Sequence, residues 1–415
     1  MKLTKIIGLA SMAAVSALAI AGCGNKSSDG GKVSLSINYY NGAISKQAIK
    51  NTKAKFPKYK LTFKQVPANE DYDTKLKASL SSTSAPDIAA INSNIVDYLP
   101  YKEKFVNLAD YGTDKVADQY VAWKWDSTFA TKDYQIAMPI DIGPTAFMYN
   151  VANFKKAGLP TDPDEVSAGI KSLDGYMSYA KQLKEKANKP MWLGAVALLQ
   201  EMEQKMTKDM YSANGKKLTL GDGQLKDAWD FTVKGLKAGY MFGVKANSSD
   251  NVNAQQKGMY SGMIQASWGI ADLKENGTKN NSWLIARAPG EPANSGGSYL
   301  AVIKTTKHAK QAAEVVKYLT NKKNQEANYK ELALFPSVKA LYNDDFKNVT
   351  DPLFGDEKYN KYFIESANEL EYTKADPRST AVRQIFENQM QLVQDSNKNP
   401  DKAWKEAVAK AEAIQ

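Results

Sequence analysis

Residues 135–144 read QIAMPIDIGP, and this stretch decides the fold. Two prolines, Pro139 and Pro144, stand on either side of Gly143, a spacing that suits a chain crossing from one lobe to another. A strand is predicted directly after the crossing, at 146–149. The chain has 415 residues, of which 43% are hydrophobic and 24% charged, so it is too long for one ordinary core and long enough for two lobes.

The block before this crossing alternates strands with helices. The pattern predicts strands at 33–39, 60–66 and 87–91, with helices at 44–56 and 71–82. Short connections between such elements are typical of a parallel sheet with crossover helices. Ligands of parallel sheets bind beyond the carboxyl ends of the strands, which makes Tyr40, Asn41, Asn92 and Asn94 candidate ligand contacts.

The block after the crossing is mainly helical. Its predicted elements are a long amphipathic helix at 164–187, a buried strand at 262–268, a turn-rich loop at 288–297, a strand at 299–303, a helix at 309–332 and two closing helices at 380–394 and 400–414. The buried strand ends on Trp268, which we expect to be exposed.

The first residues predict export and lipid anchoring. Lys2 and Lys5 precede an uncharged run at 6–21, which is short for a permanent membrane span and typical of a secretory signal. The run ends in Ile20-Ala21-Gly22-Cys23, which resembles the lipobox of bacterial lipoproteins. We therefore expect a signal peptide at 1–22, lipidation of Cys23, a polar tether at 23–32 and a folded part held outside the cell at the membrane surface.

The composition excludes several kinds of chemistry. The chain has one cysteine and one histidine, so it can form no internal disulfide and no zinc cluster of cysteines and histidines. A catalytic triad would have to use His308, which lies in a lysine-rich run. The net charge is +10, but only Arg287, Arg378 and Arg383 are arginines, which disfavours nucleic-acid binding. No cofactor and no metal ion is expected.

Several motifs in a shared order identify a family resemblance. They are Met138-Pro139-Ile140-Asp141-Ile142-Gly143-Pro144, Met148-Tyr149-Asn150, Phe154-Lys155-Lys156-Ala157-Gly158-Leu159-Pro160, Trp268 and Gly296-Gly297-Ser298. The chain resembles the extracellular solute-binding proteins of bacterial ABC importers, in particular the group that includes maltose-binding protein and the multiple-sugar binders.

The resemblance implies an α/β protein with a periplasmic-binding-protein-like fold of two lobes. Each lobe is expected to hold a mostly parallel sheet flanked by helices, with the ligand cleft between the lobes. The expected segments are lobe 1 at 33–141, lobe 2 at 142–292, a return to lobe 1 at 293–335 and a C-terminal segment at 336–415 that belongs mainly to lobe 2. Such a protein is a monomer that closes around a carbohydrate and presents it to the permease, and it is not an enzyme.

A sugar site needs aromatic rings for the C–H faces and polar groups for the hydroxyls. Trp268 matches the stacking tryptophan of the family, with core packing as the alternative. Asp141 could accept hydroxyl hydrogen bonds or hold backbone N–H groups, and Asn92 and Asn94 could contact ligand or cap turns. The remaining candidates are Tyr40 and Asn41, then Gly297, Ser298 and Tyr299 at the second crossing, and Arg378, whose alternative role is a surface ion pair.

Three competing functions stay open at this stage. The same fold could bind a polyamine, a metal complex or a phosphate ester, although the sequence shows neither clustered carboxylates nor a phosphate site. A surface-anchored glycosidase needs only two carboxylates, but no pair stands out and the eightfold strand-helix repeat is missing. A lipid-anchored adhesin would not need the crossing at 135–144.

Overall fold

The computed structural model describes residues 33–67, 71–244, 248–370 and 375–414. The predicted signal peptide, the tether and Cys23 lie outside the described residues. Among the described residues, no helix has the length and apolar character to cross a membrane.

The strands and helices follow in chain order. The strands are β1 (Ser34–Tyr40), β2 (Lys60–Val66), β3 (Ile88–Ile91), β4 (Phe129–Thr131), β5 (Tyr134–Gln135), β6 (Ala137–Pro139), β7 (Asp141–Ile142), β8 (Thr145–Asn150), β9 (Gly262–Ala266), β10 (Trp283–Ala286), β11 (Tyr299–Val302) and β12 (Phe335–Pro336). The α-helices are α1 (Lys46–Lys55), α2 (Asp71–Ser79), α3 (Ala122–Asp126), α4 (Val151–Lys156), α5 (Pro163–Gly169), α6 (Leu173–Gln182), α7 (Ala195–Glu203), α8 (Gln224–Lys237), α9 (Ser249–Gln256), α10 (Gly269–Glu275), α11 (Ala309–Leu319), α12 (Lys322–Leu332), α13 (Asp344–Lys347), α14 (Asn360–Glu369), α15 (Ser379–Ser396) and α16 (Pro400–Glu412). Tighter or wider helical turns occupy Ile95–Lys104, Leu108–Tyr111, Asp114–Gln119, Leu183–Ala187, Leu220–Gly223, Lys339–Leu341 and Pro352–Phe354.

The first lobe is built on a five-stranded sheet with the order β2-β1-β3-β11-β6. Strand β1 pairs in parallel with β2 and β3, as the alternation of strands and helices predicts. Strand β11 is antiparallel to both β3 and β6, so the sheet is mixed. Leu35 and Ile37 of β1 are buried because alternate side chains of a strand share one face.

The second lobe corrects the predicted sheet direction. Its three-stranded sheet has the order β10-β8-β9, and β8 is antiparallel to both neighbours. The expectation of a mostly parallel sheet in each lobe was therefore wrong for this lobe. Only the block before the crossing has the strand-helix-strand repeat with short connections that requires parallel pairing. Strands β8 and β9 are separated by the six helices α4 to α9, and so long a connection does not determine the direction in which the chain returns to the sheet.

Two predicted long helices are each divided in the structure. The stretch at 164–187 contains α5 and α6, since Ser172 caps α6 by accepting the N–H of Gly175 (3.1 Å). Gly169, at the end of α5, lies so close to Tyr179 that a Cβ would stand 1.8 Å from its hydroxyl. The stretch at 309–332 contains α11 and α12, because Asn321 caps the second helix. The predicted end of the chain is confirmed, with Asn399 as the cap of α16.

Three segments of the described chain run between the two sheets, at 140–144, 293–298 and 335–338. The first and third form the β7–β12 ladder, in which Asp141 faces Pro336 and Ile142 faces Phe335. The first and second are joined by backbone bonds from Ile140 N to Ser298 O (2.9 Å) and from Ser295 N to Gly143 O (2.7 Å). The stretch at 135–144 thus crosses between lobes, as its prolines and glycine predict.

The buried apolar residues separate at these crossings. One core takes residues between Leu35 and Ile140 and between Tyr299 and Val338. The other two begin at Ile142 and Phe147 and reach Ala367 and Ala411. The segment limits of the lobes given above remain a prediction.

Candidate functional site

Polar side chains from the crossing segments 140–144 and 293–298 meet the end of β1 at the junction of the lobes. Asp141, at the start of β7, is 2% exposed, and its Oδ1 accepts the backbone N–H of Ser298 at 2.6 Å. The hydroxyls of Ser298 and Tyr40 are hydrogen-bonded to each other. Tyr40 is buried at the end of β1, and its ring packs edge-on against Tyr72. The structure therefore brings together three predicted site residues, Asp141, Ser298 and Tyr40, of which the last two are hydrogen-bonded to each other.

A buried lysine completes this cluster, although its sequence context does not mark it as a site residue. Lys124, in α3, is 1% exposed, and its Nζ lies 3.4 Å from the ring centre of Tyr299. The hydroxyl of Tyr299 is hydrogen-bonded to the Oγ of Ser127 at 2.9 Å. Burial lowers the pKa of Lys124, which Asp141 opposes, and burial raises the pKa of Asp141 despite Lys124 and the bonds from Ser298. The junction therefore contains a buried acid and a buried base, each of which favours the charged form of the other.

Gly297 allows this cluster to form. Its φ is +91°, a conformation that favours glycine, and a Cβ would stand 2.8 Å from Nζ of Lys124 and 3.0 Å from the carbonyl oxygen of Asp141. The missing side chain of Gly297 thus lets its backbone lie close to Lys124 and Asp141. Whether it also contacts ligand remains a prediction.

Trp268 lies where the second lobe meets a crossing segment. It follows β9 directly, caps α10 and is half-buried, packing partly against the core of the first lobe. Its indole N–H donates to the carbonyl oxygen of Ser295 at 3.0 Å. One edge of the ring is thereby anchored while part of its surface stays accessible.

A cavity of about 550 Å³ adjoins Trp268, within the size range of small-molecule sites. Helix α7, strand β9, helices α9 and α10 and the crossing segment all contribute to its wall. Its polar lining consists of Gln200, Glu201, Gln204, Ser248, Ser249, Asn251, Gln255, Tyr260, Gln265, Asp272, Asn276 and Ser295. Amides, carboxyls and one indole are groups that can bind a solute rich in hydroxyls.

The three asparagines after β1 and β3 lie apart from the cavity. Asn41 is exposed and accepts the side-chain N–H of Gln65, and Asn92 is exposed and accepts the N–H of Ser93. Asn94 donates to Asp73 (3.1 Å), while its Oδ1 is buried without a hydrogen-bond partner among the described residues. Asn92 thus makes a local bond to the backbone of the turn, as in the turn-capping role given above as the alternative to ligand binding. A ligand role for the three remains a prediction.

Arg378 forms a clamp on the second lobe. Its guanidinium makes two bonds to Asp376 (2.8 and 2.9 Å) and one to the carbonyl oxygen of Gly215, and it stacks over the ring of Tyr211. Arg378 thus forms an ion pair, which is the alternative role predicted for it from the sequence. The structure does not bring Arg378 to the junction cluster. Its role in ligand binding remains a prediction.

Two further cavities lack the features of the one beside Trp268. One of about 880 Å³ adjoins Asp209, Tyr211 and Asp376, and one of about 560 Å³ lies against α12. Neither is lined by Trp268 or by a residue of the crossing at 293–298. We therefore take the cavity beside Trp268 as the candidate site.

Two lobes joined by crossing segments, with a polar cavity and a half-buried tryptophan beside them, form the arrangement of a solute-binding protein. The sequence matches the model of the bacterial extracellular solute-binding protein family over residues 47–354. The chain belongs to this family.

Solved structures share the fold over almost the whole chain. An extracellular solute-binding protein of family 1 is 26% identical, with a TM-score of 0.83 over 92% of this chain and 99% of that one. The ABC-transporter-associated binding protein of B. animalis subsp. lactis Bl-04, in complex with β-1,6-galactobiose, is 22% identical, with a TM-score of 0.73 over 92% and 98%. The galacto-N-biose/lacto-N-biose I-binding protein of Bifidobacterium longum is 19% identical, with a TM-score of 0.75 over 91% and 96%. A comparison with curated proteins found no match.

Proposed function

We propose that the protein captures a carbohydrate outside the cell and delivers it to an ABC importer. The observation that carries the proposal is Trp268, a half-buried indole anchored to Ser295 beside a cavity lined by amides and carboxyls. An indole face suits the C–H face of a sugar, and the polar lining suits its hydroxyls. Proteins of the same fold are described in complex with β-1,6-galactobiose and with lacto-N-biose, which supports a sugar as the solute.

The delivery step follows from the hinge. A solute that contacts both lobes stabilises the closed form by its differential affinity for that form. The permease then distinguishes the closed from the open receptor. We further propose that the protein acts as a monomer and is held to the outer face of the membrane by lipid on Cys23, which keeps it close to the transporter.

A panel of carbohydrates tests the assignment. Purified residues 24–415 are expected to show a rise in melting temperature with at least one mono- or oligosaccharide, because a ligand that binds only the folded state stabilises it. Differential scanning fluorimetry with galactobiose, lacto-N-biose, maltose, cellobiose and maltotriose measures this shift. Unchanged melting with every sugar counts against the assignment, and release of monosaccharides during incubation would favour the glycosidase alternative.

Removing the indole face should weaken binding of the best sugar from that panel. Trp268→Ala is expected to cost at least about 1 kcal/mol of binding free energy, or about fivefold or more in Kd, because the stacking surface is lost. Trp268→Phe keeps a ring but loses the bond to Ser295 and should retain more of the affinity. Titration calorimetry measures both. If Trp268→Ala folds and binds as tightly as the parent protein, the ring is a packing residue.

A further inference from the structure

One face of helix α7 forms a wall of the cavity beside Trp268. Ala197, Gln200, Glu201 and Gln204 all line it, a spacing that places side chains on one side of a helix. Glu201 is 9% exposed, and its Oε1 accepts the N–H of Ile264 at 3.0 Å. Its Oε2 is buried and has no hydrogen-bond partner among the described residues. An unpartnered carboxyl oxygen costs free energy that a ligand could recover.

The lining of the cavity has no cation to match its acids. Glu201 and the exposed Asp272 are its carboxyls, and none of the described lining residues is a lysine, arginine or histidine. Lys205, one turn further along the chain, lies near Glu201, but its Nζ donates to the carbonyl oxygen of Glu291 at 2.9 Å. Burial raises the pKa of Glu201 to about 8, with Lys205 and the bond from Ile264 opposing the rise. Glu201 is therefore held largely protonated near neutral pH, because its carboxyl lacks the donors that would stabilise its ionised form.

Such a wall favours a positively charged group over a neutral or negative one. An ammonium donates up to three hydrogen bonds and supplies the missing charge, so it satisfies Oε2 and stabilises the ionised carboxylate. Trp268 and Tyr260 in the same lining add aromatic faces that attract cations. A carboxylate or sulfate on the ligand would meet two acids and, among the described lining residues, no cation to receive it. A hydroxyl would satisfy Oε2 without supplying charge.

We propose that the ligand carries a charged amine, as in a glucosamine-containing oligosaccharide, and that Glu201 is the group that receives it. The statement that the ligand is a sugar rests on the proposed function. The statement that it carries an ammonium rests on the cavity alone, so either statement can fail without the other.

Three β-1,4-linked dimers that differ only in the substituent at C2 of each ring test the amine directly. They are the glucosamine dimer, N,N′-diacetylchitobiose and cellobiose, which present an ammonium, an acetamide and a hydroxyl. Near neutral pH, where a share of the sugar amines is charged and Glu201, with its pKa raised to about 8, ionises at little cost, the glucosamine dimer is expected to bind at least about tenfold more tightly than the other two. Spermidine, an amine without a sugar, is the fourth probe, and calorimetry with residues 24–415 measures all four.

Isosteric variants locate the effect. Glu201→Gln keeps an oxygen for the N–H of Ile264 but cannot ionise when an ammonium binds. It should lower affinity for the glucosamine dimer about tenfold or more while changing neutral-sugar binding little. Glu203→Gln is the matched control, because Glu203 is equally buried in α7 but interacts with Arg383 and Glu387 and does not line the cavity. Asp272→Asn gives a second cavity variant if Glu201→Gln does not fold.

The outcomes separate the two proposals. Spermidine binding that depends on Glu201, with no sugar bound, would keep the ammonium and overturn the sugar. Neutral sugars that bind as tightly as the glucosamine dimer would overturn the ammonium and keep the sugar. Failure of both amines to bind overturns the inference, whatever the neutral sugars do, and so does an equal loss of amine affinity in Glu201→Gln and Glu203→Gln.

Discussion

Asp141→Ala is expected to lower the free energy of unfolding by about 3–5 kcal/mol, because it leaves the buried Lys124 without the acid that favours its charged form. Asp141 and Lys124 are 2% and 1% exposed, and Asp141 is the acid that favours the charged form of this lysine. Its removal leaves the lysine to stay charged without a counter-charge or to lose its proton. The N–H of Ser298 also loses its acceptor. Urea unfolding at neutral pH measures the change.

Two further variants separate charge from hydrogen bonding at this position. Asp141→Asn retains an oxygen for Ser298, so a loss close to that of Asp141→Ala would assign the effect to charge. Adding Lys124→Met to Asp141→Asn removes the unpaired ammonium, and we expect it to recover about 1–3 kcal/mol. Asp126→Asn, an exposed acid at the end of the same helix, should change stability by less than about 0.5 kcal/mol. Strictly additive losses would mean that Lys124 and Asp141 do not depend on each other.

The sequence indicates the parts of the fold that local residues determine. Pro139, Gly143 and Pro144 predict the crossing because each restricts or frees the backbone at its own position. The N-terminal strands and helices are predicted because their apolar spacing is regular and their connections are short. The antiparallel sheet around β8 could not be predicted, since its strands are brought together by helices that carry no information about strand direction.

The site residues likewise fall into those that the local sequence marks and those that depend on residues distant in sequence. Trp268 could be identified because it directly follows a buried strand, and Ser298 because it stands at the second crossing. Lys124 could not, because a lysine in a short helix is normally solvated, and its burial depends on Asp141 and Tyr299, which are distant in sequence. Glu201 could not be identified for a similar reason: a glutamate in a helix is normally solvated, and its spacing to Gln200 and Gln204 has meaning only once the cavity is known.

Gly143 lies where the crossing segments 140–144 and 293–298 approach each other closely. A Cβ at this position would stand 1.8 Å from the carbonyl oxygen of Ser295 and 2.6 Å from its carbonyl carbon. Both are backbone atoms, so no side-chain rotation can relieve the contact. Ser295 also donates its N–H to the oxygen of Gly143 and accepts the indole N–H of Trp268. Any shift that makes room for a Cβ must therefore part the two crossings and move the tryptophan.

We expect Gly143→Ala to lower the free energy of unfolding by about 3 kcal/mol or more, at the upper end of the cost of overpacking, because rigid backbone must yield. The protein that still folds should bind the best sugar of the panel more weakly, since Trp268 moves with Ser295. Gly158→Ala is the control: its φ is +67° but a Cβ there would meet nothing within 4 Å, so it should cost only the left-handed strain, about 1 kcal/mol, and leave binding unchanged. Urea unfolding and calorimetry of both variants decide the matter, because equal losses in the two would show that contact with Ser295 does not constrain the hinge.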